Sequence, residues 1–278
     1  MIPEPDMNNT ASPLDAVIAL QRANLLPDIE QAVGRGDAML AFQPVVQSER
    51  TRHTAFYEGL FRVIDATGRF VPLGDFMPQA ESSELGRQID CLSLAMGLRA
   101  LQDDPGLRLS INMSARSIGH PVWTETLRRG IAHDERIAER LILEVTESSA
   151  MAAPEKVSPF MQDLQRRGVS FALDDFGAGY TSFRYLREFN FDMVKIDGQF
   201  VREISRQSDH QVLTQALQAI AHHFDMLTVA EQVETADEAA YLISIGIDCL
   251  QGFYFGAPTI SPPGSSPKTV AMRAAPGW

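Results

Sequence analysis

Eight short apolar or alternating runs recur along this chain, and segments of helical period separate most of them. The runs are Ala38–Val46, Thr54–Val63, Arg108–Met113, Arg140–Val145, Val169–Asp174, Phe191–Ile196, Leu227–Glu231 and Cys249–Phe253. Their length and patterning predict strands. Between them, Leu85–Leu101, Ile118–Ile131, Pro154–Arg167, Ser208–His223 and Ala236–Ile245 carry apolar residues three and four apart, the spacing of a helix with one buried face. Gly168 and Gly246 stand where two of these helices would stop. Such alternation predicts an α/β barrel, with an open doubly wound sheet as the alternative. No GxGxxG follows a strand, which weakens a dinucleotide-binding fold. The chain has 278 residues, of which 45% are apolar, enough for one barrel with a sizeable core.

The ends read differently. Leu14, Val17, Leu20, Leu25, Ile29 and Val33 predict a helix over 14–36, with Gly34 and Gly36 as stop signals. The expected organisation is a leader and helix over 1–37, one catalytic domain over 38–259, and a disordered tail over 260–278 rich in proline, serine and glycine. The first residues lack a basic start followed by an apolar run, so no signal peptide is expected, and no apolar stretch is long enough to span a membrane. A cytoplasmic protein is the expectation. Cys91 and Cys249 lie in apolar stretches and read as buried thiols rather than a disulfide. With a formal net charge of −12, the chain is a poor candidate for binding nucleic-acid polymers or anionic membranes. An anionic substrate would need local cancellation of that charge, and divalent cations are the natural means.

Polar residues cluster at the ends of the predicted strands, where barrel enzymes place their catalytic groups. They are Glu58 and Arg62, Asn112, Glu144, Asp174 and Asp175, Lys195 and Asp197, Glu231 and Glu234, and Gln251. Glu58 and Arg62 share one strand face, fitting a metal and a phosphate, although an exposed strand of alternating charge would look the same. Asn112 offers a neutral oxygen ligand or simply forms a turn. Glu144 interrupts an apolar run, where a charge is costly unless it is paired or ligates a metal. Glu147 follows that strand, to brace a loop or to start a helix. Asp174-Asp175 ends a buried strand and enters the glycine-rich Phe176-Gly177-Ala178-Gly179-Tyr180; adjacent carboxylates become tolerable with cations beside them. Lys195 suits an oxyanion or an attacking water, or a structural ion pair. Glu234 either lines the site or caps the next helix. The six histidines show no metal-ligand spacing, and there is no HExxH, CxxC or GxSxG. Oxygen ligands select Mg²⁺ or Mn²⁺ over Zn²⁺, and paired ions beside a lysine and an arginine point to phosphoester hydrolysis.

These motifs resemble the EAL family of cyclic di-GMP phosphodiesterases. The likeness runs from Phe42-Gln43-Pro44-Val45-Val46 to Gly256-Ala257-Pro258, and Asp174–Tyr180 and Val194-Lys195-Ile196-Asp197 are its most specific parts. The resemblance implies a modified (β/α)8 TIM-like barrel that hydrolyses cyclic di-GMP to linear pGpG with two Mg²⁺ or Mn²⁺ ions, commonly as a homodimer. It assigns Glu58, Asn112, Glu144, Asp174, Asp175 and Glu231 to metal. Lys195, Glu58 and Asp175 would be catalytic, Lys195 assisting the attacking water. Arg62, Gln251 and Glu234 would lie against substrate, with Gln251 also supporting the lysine's end of the site. Glu147 would anchor the loop that starts at Asp174. Three positions depart from the family pattern: Gly59 in place of alanine, Gln232 in place of glycine and Phe183 in place of leucine. Gly59 implies a slightly looser strand, and Gln232 a side chain that either crowds the substrate or turns outward. A receptor that binds cyclic di-GMP, or a protein partner, without cleaving it is the alternative.

Overall fold

The computed structural model describes residues 26–64, 68–71, 77, 80, 83–178 and 186–262. The predicted strands form a closed barrel. In chain order the strands are β1 (Ala38–Gln47), β2 (Arg50–Ile64), β3 (Phe70–Val71), β4 (Leu109–Asn112), β5 (Leu141–Thr146), β6 (Ser170–Phe176), β7 (Met193–Ile196), β8 (Leu227–Ala230) and β9 (Cys249–Gln251). From β2 the sheet runs through β4, β5, β6, β7 and β8 to β9, all parallel. β1 closes it by pairing antiparallel with both β2 and β9. That closure excludes the open sheet. β1 runs backwards because only two residues separate it from β2, and a connection that short joins only antiparallel strands. β3 adds a short antiparallel pairing at the end of β2.

Residues 26–35 are helical (α1). The longer helices are α2 (Glu84–Asp103), α3 (Pro121–His133), α5 (Pro154–Gln165), α7 (Ser208–His223) and α8 (Ala236–Ser244). Between them lie α4 (Glu147–Ala152) and α6 (Gly198–Val201). The five long ones match the predicted helices to within a few residues. α4, α6 and β3 escaped the sequence reading because elements this short show no period. β2 starts four residues before the predicted Thr54, where the exposed, polar Arg50–His53 pairs with the bulged end of β1. Gly168 and Gly246 do end helices, at φ +98 and +85, in the left-handed region that glycine enters freely. Residues 1–25 and 263–278, with most of the expected leader and tail, lie outside the described residues.

Two apolar layers hold the fold. The larger packs the outer barrel face against the helices through residues such as Leu94, Leu101, Leu109, Trp123, Phe171 and Leu242. The smaller plugs the barrel interior with Val45, Phe56, Ile142, Ala172, Met193, Val229 and Cys249. Cys249 is buried and Cys91 only half-buried; both are free thiols. Among the described residues, no helix is long and apolar enough to cross a membrane.

Candidate active site

The interior plug also locates the site. Side chains two apart on a strand share a face. Two residues beyond Phe56, Ile142, Ala172, Met193, Val229 and Cys249, towards the carboxyl ends of the parallel strands, stand Glu58, Glu144, Asp174, Lys195, Glu231 and Gln251. On the reversed β1 the step runs backwards, from Val45 to Gln43. One interior layer is therefore apolar, and the next, at the catalytic mouth of such barrels, is polar.

Lys195 stands at the centre of this layer with 1% of its side chain exposed. Its Nζ lies 2.6 Å from Glu231 Oε1, 2.7 Å from Glu144 Oε2, 3.3 Å from Glu58 Oε2 and 3.3 Å from Asp174 Oδ1. Burial alone would favour the neutral amine, but these carboxylates hold its pKa well above the usual lysine value. In this arrangement the ammonium donates hydrogen bonds to the carboxylates and offsets their charge.

The carboxylates differ. Burial raises Glu144 to about 8 against the pull of Lys195, with Glu58 and Asp174 adding repulsion. Glu231 is likewise raised well above the usual range, by burial first. Glu58 goes the other way: burial works to raise it, but Lys195 and hydrogen bonds from Gln251 (2.6 Å) and Asn112 (3.0 Å) bring it below normal. Glu144 Oε1 and Gln251 Oε1 are buried with no hydrogen-bond partner among the described residues, and a buried acceptor left so is costly. Asp174, Asp175 and Glu231 each bring an oxygen within 4.8 Å of the others. This donor set, with an orphaned carboxylate oxygen, fits hard divalent cations.

Asp175 has φ +56, a rare conformation for a non-glycine residue, and this break in the β6 strand pattern lets adjacent carboxylates, which a regular strand would point to opposite faces, bring oxygens to one site. Glu147 opens α4, and its Oε2 accepts a 3.4 Å hydrogen bond from Gly177 N in the loop that follows Asp175. Arg62 is half-buried, within the field of Glu58, and donates to Phe61 O at 2.9 Å. Glu234 is exposed beside the β8 end, and Thr235 and Glu238, not Glu234, cap α8. Asp197 caps α6 through a 2.7 Å bond from Gln199 N, a structural task. Gln43 was missed as a site residue. It is 9% exposed, pairs in register with Glu58 and accepts from Gln251 Nε2 at 3.3 Å. A polar side chain inside the apolar run of β1 was the available signal.

Two departures from the family pattern have structural answers. Gly59 does not loosen β2: a methyl there would lie 2.8 Å from Ile111 Cδ1, so Ile111 fills the space. Gln232 turns outward, with φ +53. Its side chain lies over Gly198, where any Cβ would clash with it, and its Oε1 accepts from Arg202 Nη2 at 3.3 Å. Gly179, Tyr180 and Phe183 lie outside the described residues.

A family model for the EAL domain matches residues 27–258. The bifunctional diguanylate cyclase/cyclic di-GMP phosphodiesterase MucR of Pseudomonas aeruginosa is 30% identical over 247 residues, 86% of this chain and 36% of that protein. The cyclic di-GMP phosphodiesterase PdeF of Escherichia coli is 31% identical over 235 residues, 83% and 31%. The chain thus spans about a third of the length of these curated relatives. Among solved structures, the MucR phosphodiesterase in complex with c-di-GMP superposes with a TM-score of 0.73 at 30% identity, covering 85% of this chain and 97% of that one. The FimX EAL domain from Pseudomonas aeruginosa bound to c-di-GMP gives 0.76 at 25%, covering 86% and 97%.

Proposed function

The chain belongs to the EAL domain family, and from that premise we propose that it is a metal-dependent phosphodiesterase hydrolysing cyclic di-GMP to linear pGpG. The observation that carries this reading is the polar interior layer, in which one buried ammonium meets four carboxylates at the carboxyl ends of the strands. Glu58, Asn112, Glu144, Asp174, Asp175 and Glu231 would hold two Mg²⁺ or Mn²⁺ ions. When bound, such ions supply an activated water and neutralise the phosphate.

The remaining work falls to the chain itself. Lys195 orients the acids around it and donates towards the attacking water or the phosphate oxygen. Gln251 and Asn112 hold Glu58 ionised and aimed. Arg62 suits a phosphate oxygen through a guanidinium that has no close carboxylate among the described ion pairs. Glu234 sits at the exposed rim, where substrate enters. Glu147 steadies the Asp174–Gly177 turn. A cytoplasmic homodimer belongs to the same reading.

The test compares purified parent with Glu58→Ala and Lys195→Ala in Mn²⁺, by chromatography for pGpG. Each substitution is expected to lower turnover at least a hundredfold. Variants that keep parental turnover would remove these residues from the site.

A further inference from the structure

Behind Asn112 and Glu147 lies a buried polar cluster. Asp90 on α2, Ser114 and Ser117 after β4, and Ser149 on α4 are 8%, 6%, 0% and 8% exposed. Asp90 Oδ2 accepts from Ser114 N at 2.9 Å and from Ser117 Oγ at 2.5 Å. Ser149 Oγ accepts from Ala115 N at 2.8 Å and shares a 3.2 Å hydrogen bond with Ser114 Oγ. Ser149 N in turn donates to Thr146 Oγ1 at 3.2 Å. Three of these bonds fix main-chain N–H groups, those of Ser114, Ala115 and Ser149, so the cluster holds backbone as well as filling space.

What they hold is informative. Ser114 is two residues beyond Asn112, and Ser149 is two residues beyond Glu147. One hydroxyl therefore ties the chain behind the Glu58 partner to the short helix whose first residue grips the turn after Asp175. Asp90 fixes the same stretch from α2.

We infer that Ser149 and Asp90 are positioning residues that lock the Asn112 strand end to the Glu147 helix, so that both halves of the cation site move as one piece. This rests on the reading of Asn112 as a cation ligand and of Glu147 as the anchor of the Asp174 loop. Groups behind metal ligands typically change metal affinity by about 10–100-fold.

The experiment is calorimetric titration of the full chain with Mn²⁺ alone, alongside thermal melts and steady-state kinetics. Ser149→Ala and Asp90→Ala are expected to weaken Mn²⁺ binding about tenfold, at the low end of that range, with the KM for cyclic di-GMP within about twofold of parent. Asp90→Asn keeps an acceptor oxygen and is expected to stay within about twofold of parent in Mn²⁺ affinity. If Ser149→Ala does not fold, Ser114→Ala removes the partner hydroxyl and is read in the same way. Folded variants that bind Mn²⁺ like the parent overturn the inference, as does an Asp90→Asn as impaired as Asp90→Ala. Mn²⁺ titration needs no turnover, so a parent that binds Mn²⁺ but leaves cyclic di-GMP intact overturns the phosphodiesterase reading alone.

Discussion

Lys195 keeps its charge in a place where burial alone would remove it. Burial pushes Glu144 and Glu231, two of the four acids around the one ammonium, towards the protonated form, so the site lacks the positive charge to hold all four ionised, and this shortage, rather than any single ligand, makes the site receptive to cations. The same logic at the other end of the barrel is purely structural. Asp248 Oδ2 accepts from Thr228 N and Oγ1 and from His222 Nε2 at 2.9, 2.7 and 3.0 Å. Burial works to raise its pKa, but the Thr228 hydrogen bonds and His222 bring it below the usual aspartate value. A carboxylate whose folded pKa is depressed adds stability that is present above its unfolded pKa, about 3.9, and is lost as pH falls through the folded value. Asp248→Ala is therefore expected to melt below the parent at pH 6, with the gap narrowing below about pH 4. An unchanged gap in acid would show that the loss came from packing.

At the scale of elements, Gly59 and Gly97 explain one another. The methyl of an alanine at either position would fall within 2.8 Å of Ile111 Cδ1, so one isoleucine fills the room left by two glycines, on β2 and α2. Gly59→Ala is expected to cost about 1–3 kcal/mol by overpacking. Adding Ile111→Val removes the clashing carbon, so denaturant melts should show the double variant more stable than the sum of the two single losses. Additive losses would mean that Ile111 moves aside freely. The strands and long helices were legible because period-two and period-3.6 patterns report which face is buried, and the acids were legible because they interrupt apolar runs. Ile111's packing was not, since it joins residues far apart in sequence. Neither was the fate of Gln232, which depends on Gly198 leaving room for it. Glu58, Asn112, Glu144, Asp174, Lys195 and Gln251 were all named from the sequence, but the position of Lys195 at their centre required the barrel to close.

At the scale of the whole molecule, a chain of net charge −12 is proposed to take a dianionic dinucleotide. That requires its charge problem to be solved locally, and the interior layer concentrates acids where cations can meet them and leaves the plug beneath apolar. The domain spans about a third of the length of the relatives that carry phosphodiesterase names, so its activity has to be measured on this chain itself. The most direct measurement is the product formed when the purified parent is given cyclic di-GMP with Mn²⁺, and again after chelation. A metal-dependent phosphodiesterase gives pGpG in the first case and leaves the substrate intact in the second. Tight Mn²⁺-dependent binding of cyclic di-GMP with no product in either case would contradict this reading and make the protein a receptor.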